Sequence, residues 1–86
     1  MELILYSKPG CHLCEGLAEK LAQIAGLQVE IRDITTNPAW WEAFQYEIPV
    51  LCRKVNEGEQ PLPRFSPRAS IAQIEKQLQA LLPPTA

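Results

Sequence analysis

Apolar and polar residues alternate along the first third of the chain in a way that predicts a strand, a helix and a second strand. Residues 2–6 hold three apolar residues in succession, as is typical of a strand buried on both faces. Apolar residues recur at helical spacing over residues 11–25, and Gly26 stands where many helices end. Alternation over residues 27–32 predicts a half-exposed edge strand. The predicted core stripe of the first helix is Leu13, Leu17, Leu21 and Ile24.

The middle of the chain predicts a short helix and a hairpin. Asn37-Pro38 combines a helix cap with a first-turn proline, and the helix that follows carries Trp40 and Trp41. Adjacent residues on a helix cannot both face one core, so we expect one tryptophan to pack and the other to lie near the surface. Residues 49–53 and 61–65 predict two strands, joined by a turn over residues 56–59.

A last helix closes the pattern. Ser66-Pro67 predicts one N-terminus for this helix. Ser70 and Gln73, at capping-box spacing, predict a second possible N-terminus. Pro83-Pro84 stops it. Its predicted buried stripe is Ile71, Ile74, Leu78, Leu81 and Leu82.

These elements predict an α/β fold, a four-stranded mixed sheet in the order β-α-β-α-β-β-α with helices on both faces. At 86 residues we expect one domain, residues 1–86, since this length supports a single core. The first crossover should be parallel, which places Cys11 at the carboxyl end of a central strand. Open α/β sheets usually carry their sites at that end.

Charge and composition exclude several classes of function. A formal net charge of -2 argues against strong binding to nucleic acid or to an anionic membrane. The N-terminal apolar run is too short for a signal peptide or a membrane span. Three cysteines do not make a secreted disulfide scaffold, so we expect a cytoplasmic protein.

Cys11 and Cys14 carry the chemistry that the sequence predicts most directly. Cys11 follows a strand and a Pro-Gly turn and stands at a helix N-terminus, where free N–H groups and the macrodipole favour a thiolate. Cys14 lies one turn deeper on the same face, close enough for a disulfide. Thiol–disulfide exchange needs one activated cysteine that forms a mixed disulfide with the substrate and a second cysteine that resolves it, and this pair can supply both.

Alternatives remain open for these residues. Cys11 and Cys14 could be packed or incidental cysteines, or zinc ligands, although zinc takes four ligands as a rule and Cys52 is the only other thiolate. His12 either tunes the pair as an imidazolium or faces solvent with little effect. Cys52 is expected to be a small buried residue.

The segment from Tyr6 to Cys14, the triplet Ile48-Pro49-Val50 and the element order resemble those of glutaredoxin-like proteins of the thioredoxin superfamily. The resemblance implies a thioredoxin-like fold and a thiol–disulfide oxidoreductase that acts in cell redox homeostasis. It implies that Cys11 is the nucleophile and that Cys14 resolves the mixed disulfide.

The resemblance also implies a substrate-binding set. Lys8 would bind a glutathione carboxylate, Pro49 would be cis, and Ile48 would offer backbone hydrogen bonds to the substrate. Two departures bear on this set. Glu47 precedes Ile48-Pro49 where family members commonly have threonine, so its carboxylate would disfavour the thiolate if it faced the site. No Gly-Gly pair precedes the last helix, where residues 65–70 stand instead.

The expected partner is a disulfide-containing protein or a glutathione mixed disulfide, with glutathione a candidate co-substrate and no cofactor bound. We expect a monomer. Two further functions stay open: an iron–sulfur cluster carrier in which two chains share a cluster through Cys11, and a redox-sensing binding module. A docking surface for the latter could use the aromatic residues or the basic group Arg53, Lys54, Arg64 and Arg68.

Overall fold

The computed structural model describes residues 1–81, and it has the predicted order of elements. A short 3₁₀ turn, Ile34–Thr36, follows the second strand. The strands and helices are β1 (Glu2–Ser7), α1 (His12–Ala22), β2 (Gln28–Asp33), α2 (Pro38–Phe44), β3 (Val50–Val55), β4 (Gly58–Pro61) and α3 (Ile71–Leu81).

The four strands form one mixed sheet in the order β2-β1-β3-β4. β1 pairs parallel with β2 and antiparallel with β3, and β3 and β4 form the antiparallel hairpin. β2 is therefore an edge strand, as the alternating pattern predicted, and β1 is central. Its apolar run Leu3, Ile4 and Leu5 is at most 1% exposed, which confirms a strand buried on both faces.

Helices cover both faces of this sheet, and each face has its own core. α1 and α3 lie on one face; its buried residues are Leu3, Leu5, Leu21, Ile24, Leu51, Ala69, Ile74 and Leu78. The other face is packed with Ile4, Tyr6, Ile34 and Cys52, with Trp40 and Phe44 of α2 against them. No helix in the described part of the chain has the length and apolar character that crossing a bilayer requires.

The first helix begins at His12, as predicted, but differs from its prediction in the burial of Leu13 and in the residue at which it ends. Leu13 was expected in the core but is 53% exposed. The buried side of α1 instead runs through Cys14 and Leu21, and Leu13 lies about 100° around the helix from Cys14. The helix ends at Ala22 rather than Ala25, and Gly26 follows in a left-handed conformation with φ 83°.

The fourth strand was predicted at residues 61–65 but is found at Gly58–Pro61. Val55 pairs with Gly58, so only two residues turn the chain, and Gly58 has φ 145°. All four residues of β4 are exposed, and such an edge strand gives no apolar signal in the sequence.

The capping signals of the last two helices are present in the structure. The Asn37 side chain accepts the Ala39 N–H at 2.9 Å, and Pro38 is the first residue of α2. Ser70 and Gln73 form a reciprocal capping box, with bonds of 2.8 and 3.1 Å, so the second predicted start is the right one. In the predicted stripe Ile74 and Leu78 are buried, Ile71 is half-buried and Leu81 is 37% exposed; Leu82 and Pro83-Pro84 lie outside the described residues.

Candidate active site

The turn between β1 and α1 places Cys11 at the cap of the helix. Gly10 has φ 80°, a conformation that favours glycine, and the Cys11 N–H then donates to the Lys8 carbonyl at 3.3 Å. The Cys11 Sγ accepts the backbone N–H of Cys14 at 3.2 Å. Because this sulfur lies at the positive end of the helix dipole, the geometry favours a thiolate there.

Cys11 and Cys14 are joined by a disulfide, with their Cα atoms 5.3 Å apart. The two residues differ in access: Cys14 is 2% exposed, whereas Cys11 is half-buried. A reagent arriving from solvent therefore reaches Cys11 first, and Cys14 lies behind it.

Pro49 faces the start of α1 across a groove, and the Ile48–Pro49 peptide bond is cis. His12, Leu13 and Pro49 line one cavity of about 150 Å³. The backbone of Ile48 is already engaged on both sides. Its N–H donates to the Phe44 carbonyl at 3.1 Å, and its carbonyl accepts from Nη2 of Arg64 at 3.5 Å. A substrate that paired with this backbone would have to compete with those two bonds.

Charged and aromatic side chains surround the turn. Lys8 is exposed, and its Nζ lies 5.9 Å from the centre of the Trp41 ring. Trp41 is 40% exposed, whereas Trp40 packs edge-on against Tyr6 with ring centres 5.8 Å apart. One tryptophan therefore packs and the other lies at the surface, which confirms that expectation.

His12 and Glu47 are both exposed. The His12 side chain is 96% exposed, with its Nδ1 3.8 Å from a Glu15 carboxylate oxygen. Glu47 lines a cavity together with Pro49 and Arg64, so it stands beside the proline rather than in the interior.

Cys52 is 3% exposed and packs with Ile4 and Tyr6, which confirms its expected place in the core. Burial raises the pKa of its thiol. Within residues 1–81, no three His, Cys, Asp or Glu side chains are grouped as metal ligands.

Two features of the structure were not predicted from the sequence. Arg64 donates a hydrogen bond to the Ile48 carbonyl, 16 residues earlier in the sequence, and no local sequence pattern predicts that contact. Tyr6 hydrogen-bonds Glu59 and Arg32 on the α2 side of the sheet. Burial and the Glu59 contact raise the pKa of Tyr6 to about 12. Both features join residues on different strands or loops, so only the folded chain shows them.

A mixed four-stranded sheet with a Cys-x-x-Cys disulfide at the start of its first helix defines a thioredoxin-fold domain, and the pair indicates a redox function. The sequence matches the family described as Glutaredoxin-like domain (DUF836) over residues 2–79, and the chain belongs to that family.

Solved structures share this fold. The chain is similar to the structural genomics target protein XcR50 from X. campestris, with 27% identity and a TM-score of 0.65 over 93% of this chain and 99% of that one. Thioredoxin 1 from Thermosipho africanus shares the fold at 23% identity, with a TM-score of 0.61 over 93% of this chain and 97% of that one. A comparison with curated proteins finds no match.

Proposed function

We propose that the protein is a thiol–disulfide oxidoreductase. The Cys11 thiolate attacks one sulfur of a substrate disulfide, and the other substrate sulfur leaves as a thiolate. The Cys14 thiolate then attacks the Cys11 Sγ and releases the second substrate thiolate. The substrate gains two electrons, and the protein is left with the Cys11–Cys14 disulfide.

The position of the Cys11 Sγ is the observation that supports this proposal. It accepts the Cys14 N–H at 3.2 Å at the N-terminus of α1, so the helix stabilises the negative charge that a nucleophile or leaving group carries. The difference in exposure supports these roles: Cys11 is accessible to substrate, and buried Cys14 has only the Cys11 Sγ within reach, which it attacks once that sulfur carries the substrate.

Lys8 is proposed to assist by charge. It lies three residues before Cys11 and is exposed, so its ammonium group favours the thiolate and attracts an anionic substrate. Glutathione is a candidate for the thiol that returns the protein to its reduced form. Ile48 and Pro49 are proposed to form the opposite wall for the substrate, with the Ile48 carbonyl available once Arg64 moves away.

The reduction potential of the Cys11–Cys14 pair tests the proposal. The protein is equilibrated against a glutathione redox series, and free thiols are trapped and counted by mass. We expect a two-electron transition at roughly −180 to −280 mV. Cys52→Ala, which leaves the pair intact, should retain the transition. A pair that stays reduced throughout, or that forms only intermolecular disulfides, would contradict the proposal.

Single cysteine variants separate the two roles. Cys11→Ser should abolish reduction of a disulfide substrate, because the accessible nucleophile is lost. Cys14→Ser should accumulate a mixed disulfide at Cys11, visible as a mass increase equal to one half of the substrate. Substantial dithiol reductase activity in Cys11→Ser would refute the assignment.

A further inference from the structure

A second cavity adjoins the groove at the start of α1. It measures about 200 Å³ and shares Leu17, Pro49 and Phe65 with the groove that His12 and Leu13 line. We call it the Pro49 pocket; its lining includes Leu17, Pro49, Val50, Leu62, Phe65 and the charged residues Glu47 and Arg64. His12 and Leu13 stand between the two cysteines in sequence, and a chain lying in the groove that they line would extend into this pocket.

Apolar side chains stand in the walls of the pocket, and polar groups also line it. Leu17, Val50, Leu62 and Phe65 are half-buried, and Leu51 beneath them is 4% exposed. Leu17, Leu62 and Phe65 also pack against the main core on the α1 and α3 face, so the core holds them in place, whereas Val50 packs against the core on the other face. A preformed cavity of this size with apolar side chains in its walls fits one aliphatic side chain, whose burial against those walls removes apolar surface from water on both partners.

Arg64 gives the rim of the pocket an available positive charge. In the part of the chain that the structure describes, Arg32 and Lys54 form ion pairs with glutamates, whereas Arg64 forms none. Its one hydrogen bond goes to the Ile48 carbonyl at 3.5 Å, a long contact that a carboxylate would replace with a shorter, charge-assisted one.

Glu47 narrows the choice of ligand. Its carboxylate lines the same pocket but is not within ion-pair distance of Arg64. An anion near Glu47 is repelled, so a substrate carboxylate gains only where it reaches the guanidinium. The two charges therefore favour a negatively charged group, and only at the Arg64 side of the pocket.

We propose that the Pro49 pocket is a side-chain subsite for a protein substrate, which places an aliphatic residue in the pocket and an acidic residue on Arg64. The proposal rests on the thiol–disulfide exchange proposed above and names its substrate class. A carboxylate that draws Arg64 from the Ile48 carbonyl also frees that carbonyl for a substrate backbone N–H. Glutathione has no aliphatic side chain to fill the pocket, so the class is an acidic, apolar segment of polypeptide.

Four peptide disulfides, each made of two identical peptides, test the subsite. In each peptide the same residues flank the cysteine on both sides, so that the peptide can bind in either chain direction. In three of the peptides leucine lies next to the central cysteine on each side, and the residue beyond each leucine is glutamate, glutamine or lysine. In the fourth peptide serine replaces each leucine and glutamate lies beyond it. Protein reduced with dithiothreitol and desalted is mixed with each peptide, and the peptide thiols released in a single turnover are quantified by chromatography.

The leucine–glutamate peptide should react about fivefold faster than the leucine–glutamine one, because an exposed ion pair contributes a free energy of that order. Of the three leucine peptides, the one with lysine should react slowest. Replacing leucine by serine should slow the reaction by roughly tenfold. The acidic preference should fade in high salt. Arg64→Gln should remove it and Arg64→Lys should keep most of it, whereas Arg68→Gln, a nearby exposed arginine outside the pocket, should leave it unchanged.

The outcomes separate the two proposals. Equal rates for all four peptides, or an acidic preference that Arg64→Gln and Arg68→Gln alter alike, would overturn the subsite and leave the exchange activity standing. Failure of the reduced protein to reduce any of the peptides would overturn the proposed function itself.

Discussion

Arg32 and Glu59 come from the two opposite edge strands of the sheet and meet above its inner strands, with Nη1 3.0 Å from Oε2. The Tyr6 hydroxyl donates to the same glutamate and accepts from Arg32 Nη1 at 2.9 Å. The guanidinium also lies 5.3 Å from the centre of the Trp40 ring. This group ties β2 to β4 beside α2, a helix of only seven residues.

We predict that Glu59→Gln destabilises the fold, because it removes the charge that pairs Arg32 across the sheet. The pair is partly exposed, so the free energy of unfolding should fall by about 1 kcal/mol. Urea unfolding measures it. Glu57→Gln, in the adjoining turn, is the matched control and should change stability by less than about 0.5 kcal/mol. Equal effects of the two substitutions would show that Glu59 contributes nothing through Arg32.

Glu30 makes stability depend on acid pH. Hydrogen bonds from Arg32 and Lys54 lower the pKa of its carboxyl from the ordinary 4.5. The ionised form is favoured in the folded chain, so its contribution is present above the unfolded pKa and is lost as the pH falls through the lowered folded value. Urea midpoints of the wild type and Glu30→Gln should therefore differ near neutrality and converge in acid. Glu42→Gln, outside these contacts, should not show that convergence, and a constant difference for Glu30→Gln would contradict the prediction.

Cys52 should resist alkylation in the folded protein. It is 3% exposed, and burial raises the pKa of its thiol, so both access and thiolate fraction are low. After reduction, iodoacetamide at mildly alkaline pH should modify Cys11 at least about a hundredfold faster than Cys52. Peptide mass mapping measures both sites, and concentrated urea should abolish the difference. Similar rates at the two residues in the native protein would refute the prediction.

His12 should have little influence on the redox pair. Its side chain is 96% exposed and faces the Glu15 carboxylate, so solvent and that carboxylate offset any charge on the imidazole. We expect His12→Ala to shift the reduction potential by less than about 15 mV. A shift of more than about 30 mV, a tenfold change in the exchange equilibrium, would show instead that His12 tunes the pair.

Much of the fold follows from local signals in the sequence, since those signals are contacts between near neighbours. The cap formed by Asn37, the capping box of Ser70 and Gln73, and the left-handed Gly26 are each satisfied within a few residues. The disulfide pair is local in the same sense, since its cysteines lie three positions apart. Such features are predictable because the chain needs no distant partner to form them.

The errors occur where a distant element decides the outcome. Leu13 fits the helical stripe by spacing, yet the sheet covers the side of α1 that carries Cys14. The polar residues of β4 form a strand only because β3 offers them backbone partners. Arg64 was grouped by sequence with other basic residues, and only the fold brings it to Ile48.

The disulfide spans three positions of sequence and encloses little more than the first turn of α1. A disulfide restricts the unfolded chain more when the loop it closes is longer. This disulfide closes a very short loop, so it restricts the rest of the chain little. The two core clusters are built from residues other than Cys11 and Cys14, although Cys14 is itself 2% exposed. In the exchange proposed above, we therefore expect the sheet and its helices to keep their packing whether the pair is oxidised or reduced.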